Sequence, residues 1–128
     1  MTKDEILNYI EKKYNIRILE KHWHHLDDKN IDYIIKIPHL ACLRSNGNPY
    51  YMVMTLYEDT PIIYYIDKKI HPGYQKPRII LGKGKFNSEL FNDTIIDGEM
   101  VKDSKLNWIF LINDILVYKG QHLVNKSL

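Results

Sequence analysis

Asp93-Thr94-Ile95-Ile96-Asp97-Gly98-Glu99-Met100-Val101, followed by Trp108-Ile109-Phe110-Leu111-Ile112-Asn113-Asp114-Ile115-Leu116, is the stretch that decides the fold. An apolar, β-branched run opens onto Asp-Gly-Glu, the chain turns, and a second apolar run follows, broken by a single Asp. Such runs favour strands, here about 94–101 and 108–118. The polar link Lys102-Asp103-Ser104-Lys105 joins them.

Upstream the same grammar recurs. Tyr50 to Tyr57 is rich in aromatic and apolar residues, Glu58-Asp59-Thr60-Pro61 turns the chain, and Ile62 to Ile66 returns. This predicts an antiparallel hairpin. His71-Pro72-Gly73 and Gln75-Lys76-Pro77 mark a loop, Arg78 to Leu81 a short strand, Gly82-Lys83-Gly84-Lys85 a turn, and Asn87 to Asn92 one helical turn. Ile31 to Ile37 is short and β-branched, so a strand is expected, closed by Pro38. Leu19, Trp23 and Leu26 have helical spacing that Asp27-Asp28-Lys29-Asn30 ends. At the N-terminus, Thr2-Lys3-Asp4-Glu5 has the form of a capping box. Ile6, Leu7, Ile10 and Tyr14 then share one face, which predicts a helix over 3–14 with Asn15 as its stop. One N-terminal helix followed by mostly strands at short spacing gives an α+β class with antiparallel sheet, not a βαβ fold. At 128 residues the chain fits one domain, divisible into an N-terminal helical extension (1–39) and a sheet (40–128).

Composition narrows the function classes. A formal net charge of +2 permits contact with phosphates, but a nucleic-acid stripe would need clustered Lys and Arg. No run of 18 apolar residues exists, so no membrane span is expected, and Met1-Thr2-Lys3-Asp4-Glu5 lacks the layout of a signal peptide. The one cysteine, Cys42, cannot form an internal disulfide and suits a reducing compartment; a small buried apolar role is expected for it. The abundance of Ile, Lys, Asn and Tyr fits an AT-rich coding sequence, such as that of a microbe or of a virus, and a cytoplasmic location is expected, in the host cytoplasm if viral.

Asp97-Gly98-Glu99 with the strand that follows resembles the third conserved block, and the strand after it, of the covalent nucleotidyltransferases, particularly mRNA guanylyltransferases (capping enzymes). The resemblance covers about residues 40–120. In that family a lysine amine attacks the α-phosphorus of a nucleoside triphosphate, and its motif is Lys-x-Asp-Gly, followed by x-Arg or, in a poxvirus-like branch, x-Pro. Arg44-Ser45-Asn46-Gly47-Asn48-Pro49 has that place and shape. Gly47 matches the glycine and Pro49 the poxvirus-like variant, while Arg44 stands for the lysine and Asn46 for the aspartate. A guanidinium stays protonated and is a very poor nucleophile, yet its planar fork suits phosphate oxygens. The resemblance implies a sugar or metal contact for Glu99. It implies a stacking aromatic where this chain has Asn113, followed by a matching Asp114, and a Mg²⁺ or Mn²⁺ ion accompanying the bound nucleotide. The family's later acidic and lysine-rich strands and its oligonucleotide-binding-fold domain lie beyond the motifs present here.

Blander readings stand beside these. Arg44 suits a surface turn, Gly47 a positive-φ turn, and Glu99 and Asp114 strand-end charges. Lys83 and Lys85 do not have P-loop spacing and fit a solvated hairpin tip. His22, His24 and His25 fit surface positions rather than a metal site. The tyrosines at 50, 51, 57, 64 and 65 fit core and cross-strand packing. The expectation is a guanylyltransferase-like pseudoenzyme with nucleotide-binding residues Arg44, Asn46, Gly47, Glu99 and Asn113 and metal contacts at Glu99 and Asp114. It would bind GTP or another nucleotide, or an RNA 5′ end, or support capping or RNA polymerase subunits. The alternatives are an interaction module, self-association included, and a half-site completed by a partner chain.

Overall fold

The computed structural model describes residues 1–18 and 25–123. The helical spacing of Leu19 and Trp23, together with His22 and His24, lies outside the described residues, and Leu26 is exposed. Helix α1 runs Lys3–Tyr14. The capping box forms as expected: the Glu5 amide donates to the Thr2 hydroxyl (3.2 Å) and the Thr2 amide to the Glu5 carboxylate (2.6 Å). Asn15 closes the helix in the left-handed conformation at φ 55°.

Among the described residues, six strands form one antiparallel sheet. These are β1 (Asn48–Tyr57), β2 (Thr60–Asp67), β3 (Ile79–Gly82), β4 (Thr94–Lys102), β5 (Trp108–Tyr118) and β6 (Gln121–His122), in the order β3-β2-β1-β4-β5-β6. Tyr57 pairs with Thr60, so the first hairpin closes on two residues, Glu58 and Asp59, both at positive φ. That is the geometry a type I′ turn requires. A short 3-10 helix, Ser88–Phe91, occupies the stretch where one helical turn was expected.

Two apolar layers cover the sheet. On one face α1 packs Ile6, Ile10 and Tyr14 against Tyr51, Val53, Tyr64, Ile66, Ile95 and Val117. On the other face Phe91 and Leu90 meet Met52, Met54, Ile63 and Ile96. Alternation explains the division: Tyr51 and Val53 of β1 point one way, Met52 and Met54 the other. Both faces of this central strand are covered, which is why it reads as a continuous apolar run.

Residues 31–37 correct the sequence reading, because they form helix α2 (Ile31–Lys36) rather than a strand. The Asp27 carboxylate accepts from the amides of Lys29 (2.9 Å) and Asn30 (3.0 Å), which starts a turn, and the Ile31 amide continues it onto the Asp27 carbonyl (3.0 Å). A strand needs a neighbour to satisfy its backbone, whereas a helix supplies its own partners. Pro38 ends the element as expected, holding Ile37 extended. No residue of α2 is buried. Cys42 is also exposed rather than buried, because it lies in the irregular segment between α2 and β1, outside both apolar layers. Among the described residues, no helix is long and apolar enough to cross a membrane.

Candidate functional site

The loop ahead of β1 folds back onto β4. Glu99, only 3% exposed, sits beside Pro49 across the sheet. Its carboxylate accepts from the Arg44 Nε at 3.2 Å and from the Ser45 hydroxyl. Arg44 is half exposed, so the pair joins a buried acid to a cation at the surface. The Ser45 bond, and then Arg44, hold the Glu99 carboxyl below its usual range against the opposing effect of burial. Ser45 also accepts from the Gly47 amide (3.2 Å), which tightens the loop. Arg44, Ser45, Asn46 and Gly47 line a hollow of about 360 Å³.

Gly47 is not at positive φ, contrary to the expected turn geometry. Its requirement is space: a Cβ there would lie 2.7 Å from the Met100 carbonyl oxygen and closer still to the Val101 side chain. The glycine therefore lets the loop lie directly on β4.

A second ion pair lies on the same face of the sheet. Tyr51 pairs with Asp97, and Asp97 with Asp114, so these side chains form a row across β1, β4 and β5. The Lys68 ammonium reaches over the Tyr51 ring, 4.4 Å from its centroid, and pairs with the Asp97 carboxylate. Burial, then the Asp97 charge, push the Tyr51 phenol up, so it stays neutral beside the pair. Ser45 and Lys68 are not singled out by the sequence, whereas Asp97 is named there within the Asp-Gly-Glu block and Tyr51 among the packing tyrosines. The signal for Lys68 was the hairpin itself: a two-residue turn at Glu58-Asp59 places Lys68 beside Pro49, where its amide donates to the Pro49 carbonyl (3.1 Å).

The structure thus brings Arg44, Asn46, Gly47 and Glu99 to one end of the sheet. Asn113 and Asp114 lie on the neighbouring strand. Asp97 faces Asp114 and Gly98 faces Ile112, so Asn113 is the extra residue of a β-bulge. Both Asn113 and Asp114 are exposed. Glu99 pairs across the sheet with Leu111, not with Asp114, so these two carboxylates are not cross-strand partners. Among the described residues, no three His, Cys, Asp or Glu side chains come together to hold a metal ion. Lys83 and Lys85 are exposed, as a solvated tip requires, while Tyr50, Tyr51 and Tyr64 are buried packing residues.

Chemically, the arrangement offers cations and hydrogen-bond donors beside acids, in hollows open to solvent. Neither cation is presented as a nucleophile. Arg44 is a guanidinium, always charged, and the Lys68 ammonium pairs with the Asp97 carboxylate. No protein-family model matches the chain, and no curated protein matches its sequence.

Proposed function

We propose that this chain is a guanylyltransferase-like domain of the mRNA-capping type that binds a nucleotide or an RNA 5′ end without nucleotidyl transfer of its own. The observation that carries the reading is the Arg44–Glu99 contact, which joins the two resembling segments across 55 residues of sequence. Segments that match a family's first and third motifs would be expected to meet at a nucleotide, and here they meet beside a solvent-open hollow. In this reading Arg44 contacts phosphate, Asn46 and the Gly47 backbone shape the loop, and Glu99 contacts the sugar. Asn113 offers hydrogen bonds to the base in place of a stacking ring. The resemblance would have a divalent cation come with the triphosphate, with Glu99 and Asp114 as its contacts.

Calorimetric titration with GTP and Mg²⁺ tests the site. The wild-type chain is expected to bind. Arg44→Ala is expected to weaken binding about tenfold through loss of a charge-assisted contact, and Glu99→Ala to weaken it as well, with unchanged circular dichroism in both. Undiminished affinity in both variants rejects the assignment.

A second reading has its own support. Helix α2 buries none of its residues, and Trp108, Ile112 and Ile115 of β5 are all at least 40% exposed. Apolar surface of this kind commonly marks a protein contact. In this reading the chain is an interaction module or half-site completed by a partner, such as a capping or RNA polymerase subunit, or by a second copy. Sedimentation as a monomer at high concentration, with no capping or polymerase subunit recovered on affinity capture, counts against it.

A further inference from the structure

The face of the sheet opposite the Arg44–Glu99 pair carries a separate cavity of about 520 Å³, within the range of small-ligand sites at about 300–1,000 Å³. Its aromatic lining comes from three strands. Tyr50 lies on β1, Tyr65 on β2, and Trp108 and Phe110 on β5, with Met100 of β4 between them. Asn48 and Arg78 supply the polar groups, and no carboxylate is among the lining residues.

Two glycines make room for this wall. A Cβ at Gly82 would lie 2.5 Å from the Tyr65 ring, and one at Gly98 would lie 2.5 Å from the Phe110 ring. With hydrogen at both positions, the two rings lie down on the neighbouring strands and form a tilted pair, with centroids 5.5 Å apart. Gly98 is the centre of Asp97-Gly98-Glu99. The acids of that tripeptide point to one face of the sheet and the glycine opens space on the other, as strand alternation requires.

The charges around the cavity choose among ligands. A cage of rings alone would suit a quaternary ammonium. Here Arg78 lines the cavity, and the Lys102 ammonium sits over the Trp108 ring, 4.7 Å from its centroid. Both repel a cation and attract an anion. Asp67, the acid behind Tyr50, is buried and accepts from the Lys69 amide (2.9 Å), with the His71 ring nitrogen at 3.0 Å. Burial and the Asp67 charge keep the Tyr50 phenol protonated, leaving a neutral hydroxyl beside Arg78.

We propose that this cavity binds a planar aromatic ring bearing an anionic group, of mononucleotide size, with the ring against Tyr65, Phe110 and Trp108 and the anion on Arg78. Asn48 offers both a donor and an acceptor to the ring edge. The site is distinct from the one proposed at Arg44 and Glu99 and does not depend on it. The same chemistry is presented by a free nucleotide and by one residue of a single strand, and stacking on aromatic side chains is tolerant of base identity.

Calorimetry on the full chain distinguishes the outcomes. The probes are AMP, adenosine, ribose 5-phosphate and a five-residue single-stranded oligoadenylate. AMP is expected to bind at least tenfold more tightly than adenosine or ribose 5-phosphate, because ring and anion are both engaged. Trp108→Ala and Arg78→Ala, both at exposed positions, are each expected to weaken AMP about tenfold. Arg44→Ala and Glu99→Ala are expected to leave the Arg78- and Trp108-dependent binding unchanged. An oligoadenylate bound at least tenfold more tightly than AMP, with the same sensitivity to Arg78 and Trp108, identifies a strand as the source; equal affinity identifies the free nucleotide. Failure of both AMP and the oligoadenylate to bind overturns the proposal. So does AMP binding that is lost in Arg44→Ala and kept in Arg78→Ala, an outcome that leaves the opposite-face site standing.

Discussion

Asp93 shows what one residue can do in a small domain. Its carboxylate accepts from Tyr9 (2.5 Å), Tyr14 (2.5 Å), Lys13 (2.9 Å) and Thr55 (2.6 Å), and its residue is 7% exposed. Three of those donors belong to α1 and one to β1, so a single acid pins the helix to the sheet. Burial raises its carboxyl, but the bonds from Thr55, Tyr14, Tyr9 and Lys13 outweigh burial and hold it below the ordinary value. Asp93→Ala leaves those donors without their acceptor and is expected to cost about 3 kcal/mol, read from the urea midpoint. The pH dependence has two limbs. Because the folded carboxyl value is lowered, its stabilisation is complete above the unfolded value of about 3.9 and drains away as pH falls through the lower folded value. The Asp93 bond, then Tyr9, raise Lys13, while burial, then Asp93, raise Tyr14 and Tyr9. Their contribution is complete below about pH 10 and is lost as pH rises through the raised values. Asp93→Asn should flatten the acid limb of a stability–pH profile; an unchanged acid limb would place that sensitivity elsewhere. None of this was legible in the sequence, where Asp93 was only the first residue of a strand-like run. Its donors stand 38 to 84 residues away, and no local pattern links them.

Elements with strong local instructions were legible. The capping box, the spacing of Ile6, Ile10 and Tyr14, and Asn15 mark the start, buried face and end of α1 locally. The paired strands from Tyr50 to Ile66 and from Thr94 to Tyr118 follow from apolar runs separated by turns. Ile31–Ile37 misled because β-branched composition expresses a preference for pleated, half-buried surroundings, and this segment has none. Its helix is set by the Asp27 turn and Pro38 instead. Two substitutions separate the elements. Ile35, 72% exposed on α2, should tolerate Lys with a change within about 0.5 kcal/mol. Ile10, 1% exposed on α1, should lose about 2–5 kcal/mol as Ala. Equal effects in thermal or urea unfolding would contradict this division of the core. Gly47→Ala should cost about 1–3 kcal/mol through overpacking on Met100 and Val101, although its backbone conformation is open to any residue. A Gly47→Ala chain as stable as the parent would show that the loop does not need that close approach.

At the scale of the whole molecule, one twisted sheet presents different chemistry on each face. One carries the helix at one end and the acids Asp97 and Glu99, with Lys68 and Arg44, at the other. The opposite face carries the aromatic cavity around Tyr65 and Phe110. Motif spacing made Arg44 and Glu99 legible as a possible meeting of two segments, and the fold does join them. The partners that complete the meeting, Ser45 and Lys68, depend on strand register, which a reading along the chain does not show. The bulge that sets Asn113 out of pairing was hidden for the same reason, since two residues opposing one leave no mark in composition. We propose that this face holds a nucleotide without attacking it, its cations being a guanidinium and an ammonium paired with a carboxylate. Intact mass under denaturing conditions, after incubation with GTP or ATP and Mg²⁺ or Mn²⁺, is the deciding measurement. An unchanged mass from folded protein is expected. A stable gain of one nucleoside monophosphate would contradict it and would make a lysine of this chain a nucleophile.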